Sequence, residues 1–205
     1  DLITTTVSLL IPIFTLDIQD AVMRFALDKA YKKDDIFSVA LKIILTGTSI
    51  IIFGVIVVWN LNIPNLEDSY LLFFVIMYLI SALHNTISLF CRGIDKVHVM
   101  VIGSILNSII TLTANVVFLV FLNMGLTGYL IANTLGSTVA LIWCFVGAKL
   151  YRYIKWRNIS DDIQKKMIEF SFPLIFSVIA WWVNYASDRY ILSLMSGVAI
   201  SGVYA

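Results

Sequence analysis

Hydrophobic residues fall in six long runs, at about 2–16, 36–59, 69–91, 98–122, 126–148 and 167–192, with short polar connections between them. A hydrocarbon core of about 30 Å takes roughly 20 mostly apolar residues of α-helix to cross, so each run is a predicted membrane span. The first is short and is expected to continue into LDIQDAVMRFAL as an amphipathic helix. None of the runs has the ten-residue alternation of a membrane β-barrel, and links such as NMGLT and GIDKV suit adjacent antiparallel helices. Pro12 and Pro173 lie within or near the starts of apolar runs, where proline removes a backbone donor and bends a helix. Gly47, Gly54, Gly103, Gly136 and Gly147 are expected to allow close helix approach.

Polar residues inside the runs recur with helical spacing. Ser104, Asn107, Thr111 and Asn115 follow one another at intervals of three, four and four. Similar series are Ser81, Asn85, Ser88 and Arg92; Asn133, Ser137 and Ala140; and Ser177, Trp181, Asn184 and Asp188. At 3.6 residues per turn each series forms one stripe. Such groups commonly join helices, at roughly 0.6 kcal/mol per contact. Stripes on four helices favour instead a shared, water-filled cavity. Its candidate binding groups are Asn85, Arg92, Asn107, Thr111, Asn115, Trp181, Asn184 and Tyr185.

Charge orients the spans. Lys and Arg concentrate in connections 17–35, 92–97 and 149–166, with Lys42 the deepest of their flanking residues and Arg189 the exception, whereas NLNIPNLEDS and NMGLT contain none. By the positive-inside rule the three basic connections are cytoplasmic. The first span then runs inward, and the chain is expected to be part of a longer polytopic protein which, if it starts in the cytoplasm, has an odd number of helices upstream, most simply one. Asp188 and Arg189 are ionisable groups in a membrane segment, where each costs at least about 2.5 kcal/mol without water or a partner. They lie about 32 Å along the helix from Met167, near the outer hydrocarbon boundary, so Arg189 either faces the cavity or snorkels to headgroups. Arg24, among Val22, Met23 and Phe25, either lines the inner mouth of a cavity or anchors to headgroups. KLYRYIKWRNISDDIQKKM suits an interfacial linker on an anionic leaflet.

Composition agrees with this pattern and narrows the chemistry. With 60% hydrophobic residues, 13% charged residues and a mean hydropathy of +0.94, the chain is an all-α polytopic membrane protein and not a soluble enzyme. A net charge of +1 gives no reason to expect nucleic acid. Cys91 and Cys144 lack CxxC spacing and nearby His pairs, so no metal site or disulfide framework is predicted. His84 and His98 have no persuasive acid–base partners, and no catalytic residue is expected. No cofactor is expected either, a coupling proton or sodium ion being left open.

Three stretches also resemble a known family: PIFTLDIQDAVMRFALDK, RGIDKVHVMVIGSILNSIITLTANVVFLVF followed by GLTGYLIANTLGS, and FSFPLIFSVIAWWVNYASDRYIL. In wording and order they are similar to the polysaccharide biosynthesis, or Wzx-type oligosaccharide flippase, family of the MATE-like superfamily. The resemblance implies twelve to fourteen helices in two six-helix lobes around a central cavity. Residues 1–150 would be the second to sixth helices, a MATE-like N-terminal lobe; 151–166 the interlobe linker; and 167–205 the start of the second lobe. It further implies an undecaprenyl-diphosphate-linked oligosaccharide as cargo, flipped across the cytoplasmic membrane by alternating access for lipopolysaccharide or capsule synthesis. Arg24 and Arg189 would be cationic cavity groups; Asp188 is a candidate for the coupling proton or cation by its placement alone. Membrane lipids and other polysaccharide-assembly proteins are the expected partners. A MATE-type cation-coupled drug exporter should show a net acidic cavity. An embedded glycan polymerase or acyltransferase should show acid–base groups in sizeable outer loops, and a scaffold should tolerate loss of the charges.

Overall fold

The computed structural model describes residues 2–60, 68–155 and 160–196, with side chains from 4 to 60, 71 to 155 and 160 to 184. Among these the regular structure is entirely helical: α1 (Leu2–Phe14), α2 (Ile18–Leu27), α3 (Lys33–Asn60), α4 (Asp68–Gly93), α5 (Val97–Asn115), α6 (Gly125–Gly147) and α7 (Asp161–Ser196). A π-helical turn, Val116–Phe121, prolongs α5, and a 3-10 turn, Leu150–Tyr153, follows α6. Five helices are long and apolar enough to cross a membrane, and α1 with α2 makes a sixth crossing if the bent pair is one span.

That pair departs from the expected continuous helix. Leu16 and Asp17 adopt left-handed backbone conformations, with φ of 54° and 48°, and the axis turns by 58° between α1 and α2. The left-handed region is costly for a residue with a Cβ, and most of all for a non-polar one such as Leu16. Pro12 contributes to the break: its carbonyl accepts the Asp17 N–H at 2.9 Å, closing the last turn of α1 with a wider loop. Residues 18–27, expected to belong to a connection as well as to an amphipathic helix, are thus a packed helix. Its buried face is Ile18, Ala21, Val22, Phe25 and Ala26.

α4 occupies the middle of the bundle, with α1, α2, α3, α5 and α6 packed around it, while α7 lies against α1, α2 and α3. Glycines set several of these approaches. A Cβ on Gly47 would run into the carbonyl of Phe14; one on Gly103 would meet Cys144 Sγ at 2.7 Å; one on Gly93 would meet the Ala26 Cβ at 2.6 Å. Gly54 does not behave as expected, because nothing lies within 4 Å of its Cβ position. Both cysteines are buried and free, and Cys144 Sγ donates to the Val99 carbonyl of α5 at 3.9 Å.

Aromatic side chains pack together at the basic end. Phe37 of α3 stacks on Phe90 of α4 at 4.7 Å between ring centres, and Tyr153 meets Phe90 edge-on at 5.6 Å. The segment after α6 is fastened there. Ser38 Oγ accepts the Lys155 N–H at 2.8 Å, and Lys155 Nζ lies 3.1 Å from Asp34 and 3.4 Å from Asp35. Lys96 Nζ donates to the Ala148 carbonyl at 2.7 Å, tying the α4–α5 turn to the end of α6. α7 begins at Asp161 and not at 167, so the latter part of the expected linker is helix, with Met167 wholly buried. Elsewhere the outer faces are apolar: Phe53 and Trp59 of α3 and Ile105, Ile109 and Leu112 of α5 are exposed, as helices facing acyl chains require.

Candidate functional site

The polar stripe of α4 has a definite direction. Ser81, His84, Asn85, Ser88 and Arg92 fall within an arc of about 100°, at ~100° per residue. Opposite them stand Thr4 and Ser8 of α1 and Asn133, Thr134 and Ser137 of α6. Together with Ser81 and Asn85 they line a cavity of about 240 Å³, whose remaining wall is Val7, Ile11, Met77 and Ile80. Within the wall, Asn133 Nδ2 donates to the Tyr129 carbonyl at 2.9 Å and Thr134 to the Leu130 carbonyl at 2.7 Å. Both side chains are anchored on their own helix and present their remaining lone pairs as acceptors. On the same α4 face, His84 Nδ1 and Ser88 Oγ are buried without a protein partner. A buried polar atom of this kind is costly unless water or a ligand reaches it.

A second space, of about 540 Å³, lies between Ser8 of α1 and Ser177, Val178, Trp181 and Trp182 of α7. Ser8 lines both spaces, so the polar cavity of α1, α4 and α6 adjoins the space beside α7. Trp182 is pinned there, its Nε1–H donating to the Thr5 carbonyl at 3.1 Å. Trp181 presents its ring to the open side, 71% exposed. Another hollow, of about 380 Å³, lies between the far ends of α3 and α4. It is walled by Ile52, Val55, Ile56, Trp59, Leu71, Leu72 and Val75, and this apolar surface suits acyl chains and not a polar ligand.

The expected site residues divide accordingly. Asn85 and Trp181 line the two spaces, and Asn184 is exposed on α7. Arg92 is exposed at the basic end of α4, seven residues from Asn85 and therefore on nearly the same face. Arg24 is also exposed, with its guanidinium carbon 4.2 Å from the centre of the Phe170 ring, a cation–π contact between α2 and α7. The side chains of Tyr185, Asp188 and Arg189 lie outside the described residues.

Asn107, Thr111 and Asn115 are not part of the cavity. Asn107 and Thr111 hydrogen-bond to each other at 3.2 Å and press on Gly136 of α6, whose missing Cβ would overlap Thr111 Oγ1 and approach Asn107 Oδ1 at 2.7 Å. Here the stripe joins two helices. Ser104 is exposed, its hydroxyl turned back on the Met100 carbonyl, and Asn115 sits where α5 passes into the π-helical turn. The cavity uses three polar residues that the stripes omitted, Thr4, Ser8 and Thr134. The spacing of four between Thr4 and Ser8 within TTTVS placed those two on one helical face, a signal that was available.

A family model described as polysaccharide biosynthesis protein matches residues 1–205. The chain belongs to this polysaccharide biosynthesis family. No curated protein and no solved structure shows a significant match to it. Membership agrees with a multi-pass membrane protein.

Proposed function

We propose that the protein moves a lipid-linked oligosaccharide across the cytoplasmic membrane by alternating access, without making or breaking a covalent bond. The observation that carries this reading is the convergence at Ser8, where the polar cavity of α1, α4 and α6 adjoins the tryptophan-lined space of α7. An undecaprenyl-diphosphate cargo keeps its tail in the bilayer, but its sugars and diphosphate need a polar route. Asn85, Asn133, Ser81 and Ser137 offer donors and acceptors to hydroxyls, and Trp181 offers a flat face to a sugar ring. Arg24 and Arg92, at the basic end, suit the diphosphate, since a guanidinium fork matches phosphate oxygens. Arg189 is assigned the same task at the opposite end of α7, and Asp188 the weaker task of meeting a coupling ion.

The basic connections face the cytoplasm in this reading. Moving two negative charges outward across 100 mV, interior negative, then gains about 4.6 kcal/mol, at ~2.3 kcal/mol per charge. The test is complementation with the full-length protein in a strain lacking the native gene. Arg24→Gln, Arg189→Gln and Asn85→Leu are expected to reach the membrane at normal abundance and to lower surface polysaccharide at least tenfold. Normal polysaccharide from all three would refute the proposal. Loss of a covalent glycan-assembly step in purified membranes would replace it with an enzyme.

A further inference from the structure

The break between α1 and α2 holds a group that the transport reading does not use. Asp17 is wholly buried. Its Oδ1 accepts a hydrogen bond from Gln19 Nε2 at 3.1 Å, while Oδ2, equally enclosed, has no donor. No basic side chain pairs with it among the described residues. The break lies deep in the bundle: the Phe14 carbonyl abuts Gly47, half-way along α3, about 20 Å from the start of that helix at ~1.5 Å per residue. The Tyr78 hydroxyl approaches the same glycine and is likewise buried without a partner.

Charged groups on the surrounding helices do not compensate. On α2, Asp20 has the same sign and Arg24 is engaged with Phe170. On α3, Asp34 and Asp35 hold Lys155, Lys42 bonds Gln164 at 2.9 Å, and Lys33 is the first residue of the helix. On α4, the titratable groups in the middle of the helix are Tyr78 and His84, with Arg92 exposed at its end. On α7, Lys166 pairs with Asp162 at 2.7 Å and Lys165 with Glu169 at 3.9 Å. Asp161 starts that helix, and the side chains of Asp188 and Arg189 lie outside the described residues.

An ionised carboxylate enclosed with one bare oxygen and no counter-charge is strongly disfavoured, whereas a carboxylic acid in the same place is tolerated. We propose that Asp17 is a proton-binding site, its carboxyl neutral in the closed break between α1 and α2. Opening the break to water lets the O–H bond ionise, the proton passing to water and the carboxylate remaining. A proton needs a single oxygen whereas sodium takes several ligands, and no cluster of three or more His, Cys, Asp or Glu that could hold a metal ion occurs among the described residues. This inference rests on the membrane placement of the helices and not on the cargo, so failed polysaccharide complementation would leave it standing.

The experiment is infrared spectroscopy of the full-length protein in lipid nanodiscs, with aspartate labelled by carbon-13 at the side-chain carboxyl. At neutral pH the wild type is expected to show a neutral carboxylic acid band that shifts with the label. That band should vanish in Asp17→Asn and be the same in sodium chloride as in choline chloride. In Asp17→Glu, which keeps the acid, the band should lose its sensitivity to labelled aspartate. A wild type with no label-sensitive acid band would overturn the proposal whatever the variants do. So would a band that persists undiminished in Asp17→Asn. Disappearance of the band on exchanging choline for sodium would make the site one for a metal cation and would equally overturn it.

Discussion

Two seams of this bundle are written in nearly the same letters and do opposite things. Between α5 and α6, Asn107 and Thr111 close on Gly136 and leave no room. Between α4 and α6, Asn85 faces Asn133 and Ser137 across a cavity. Both are polar residues at helical spacing. The difference lies in the opposing helix: a glycine lets two backbones meet, whereas side chains on both walls hold them apart. A polar stripe therefore predicts a face, and the residue across from it decides whether that face becomes a joint or a chamber.

The largest break in this comparison should come from Gly136→Val. Thr111 and the backbone carbonyl of Asn107, the latter 3.0 Å from the Cβ position, cannot both yield, and overpacking of this kind costs about 3 kcal/mol. Membrane abundance and unfolding of the purified protein are the measurements, with Gly54→Val as the control. That site is open, so the control should stay within about 0.5 kcal/mol of wild type. A similar loss for both would show that the α5–α6 seam has no special tightness.

Next comes Asn133→Leu, in the chamber. Unfolding should change by less than about 1 kcal/mol, since the Asn133 amide bonds only its own helix, while polysaccharide export falls about tenfold, the equivalent of ~1.4 kcal/mol. A destabilised protein with intact export would make this seam a joint like the other. Asn107→Ala should give the converse: about 0.6 kcal/mol of stability lost with the Thr111 hydrogen bond, and export per molecule unchanged. Smallest of all is Ser104→Ala. Its exposed hydroxyl bonds only the carbonyl one turn back, so neither stability nor export should move measurably.

The reach of the sequence follows from the same physics. Spans were legible because the bilayer sets a length, and the basic connections stood out because charge avoids its interior. Ser81, Asn85, Asn133 and Ser137 were legible as a shared lining, since helical period fixes which residues look the same way. What period does not carry is the neighbour: Asn107 and Thr111 have the same spacing and meet a glycine. The break at Leu16–Asp17 was hidden for another reason. An aspartate after an apolar run reads as the first residue of a loop, and only the tertiary environment, with Phe14 lodged against Gly47, shows it to be enclosed. Pro12 signalled a bend but not its 58° extent. Likewise Asp161 and Asp162 looked like linker because of their charge, yet they form the first turn of α7, where acidic side chains suit the helix dipole.

The clasp that Ser38, Asp34 and Asp35 place on Lys155 has a mechanical corollary. From Lys155 to Ser160 the chain advances five residues, which at full stretch is about 18 Å at ~3.6 Å each. While the clasp holds, the origin of α7 is on a leash of that length from the foot of α3. Carrying the start of α7 beyond that reach therefore requires Lys155 to let go of Asp34, Asp35 and Ser38 first.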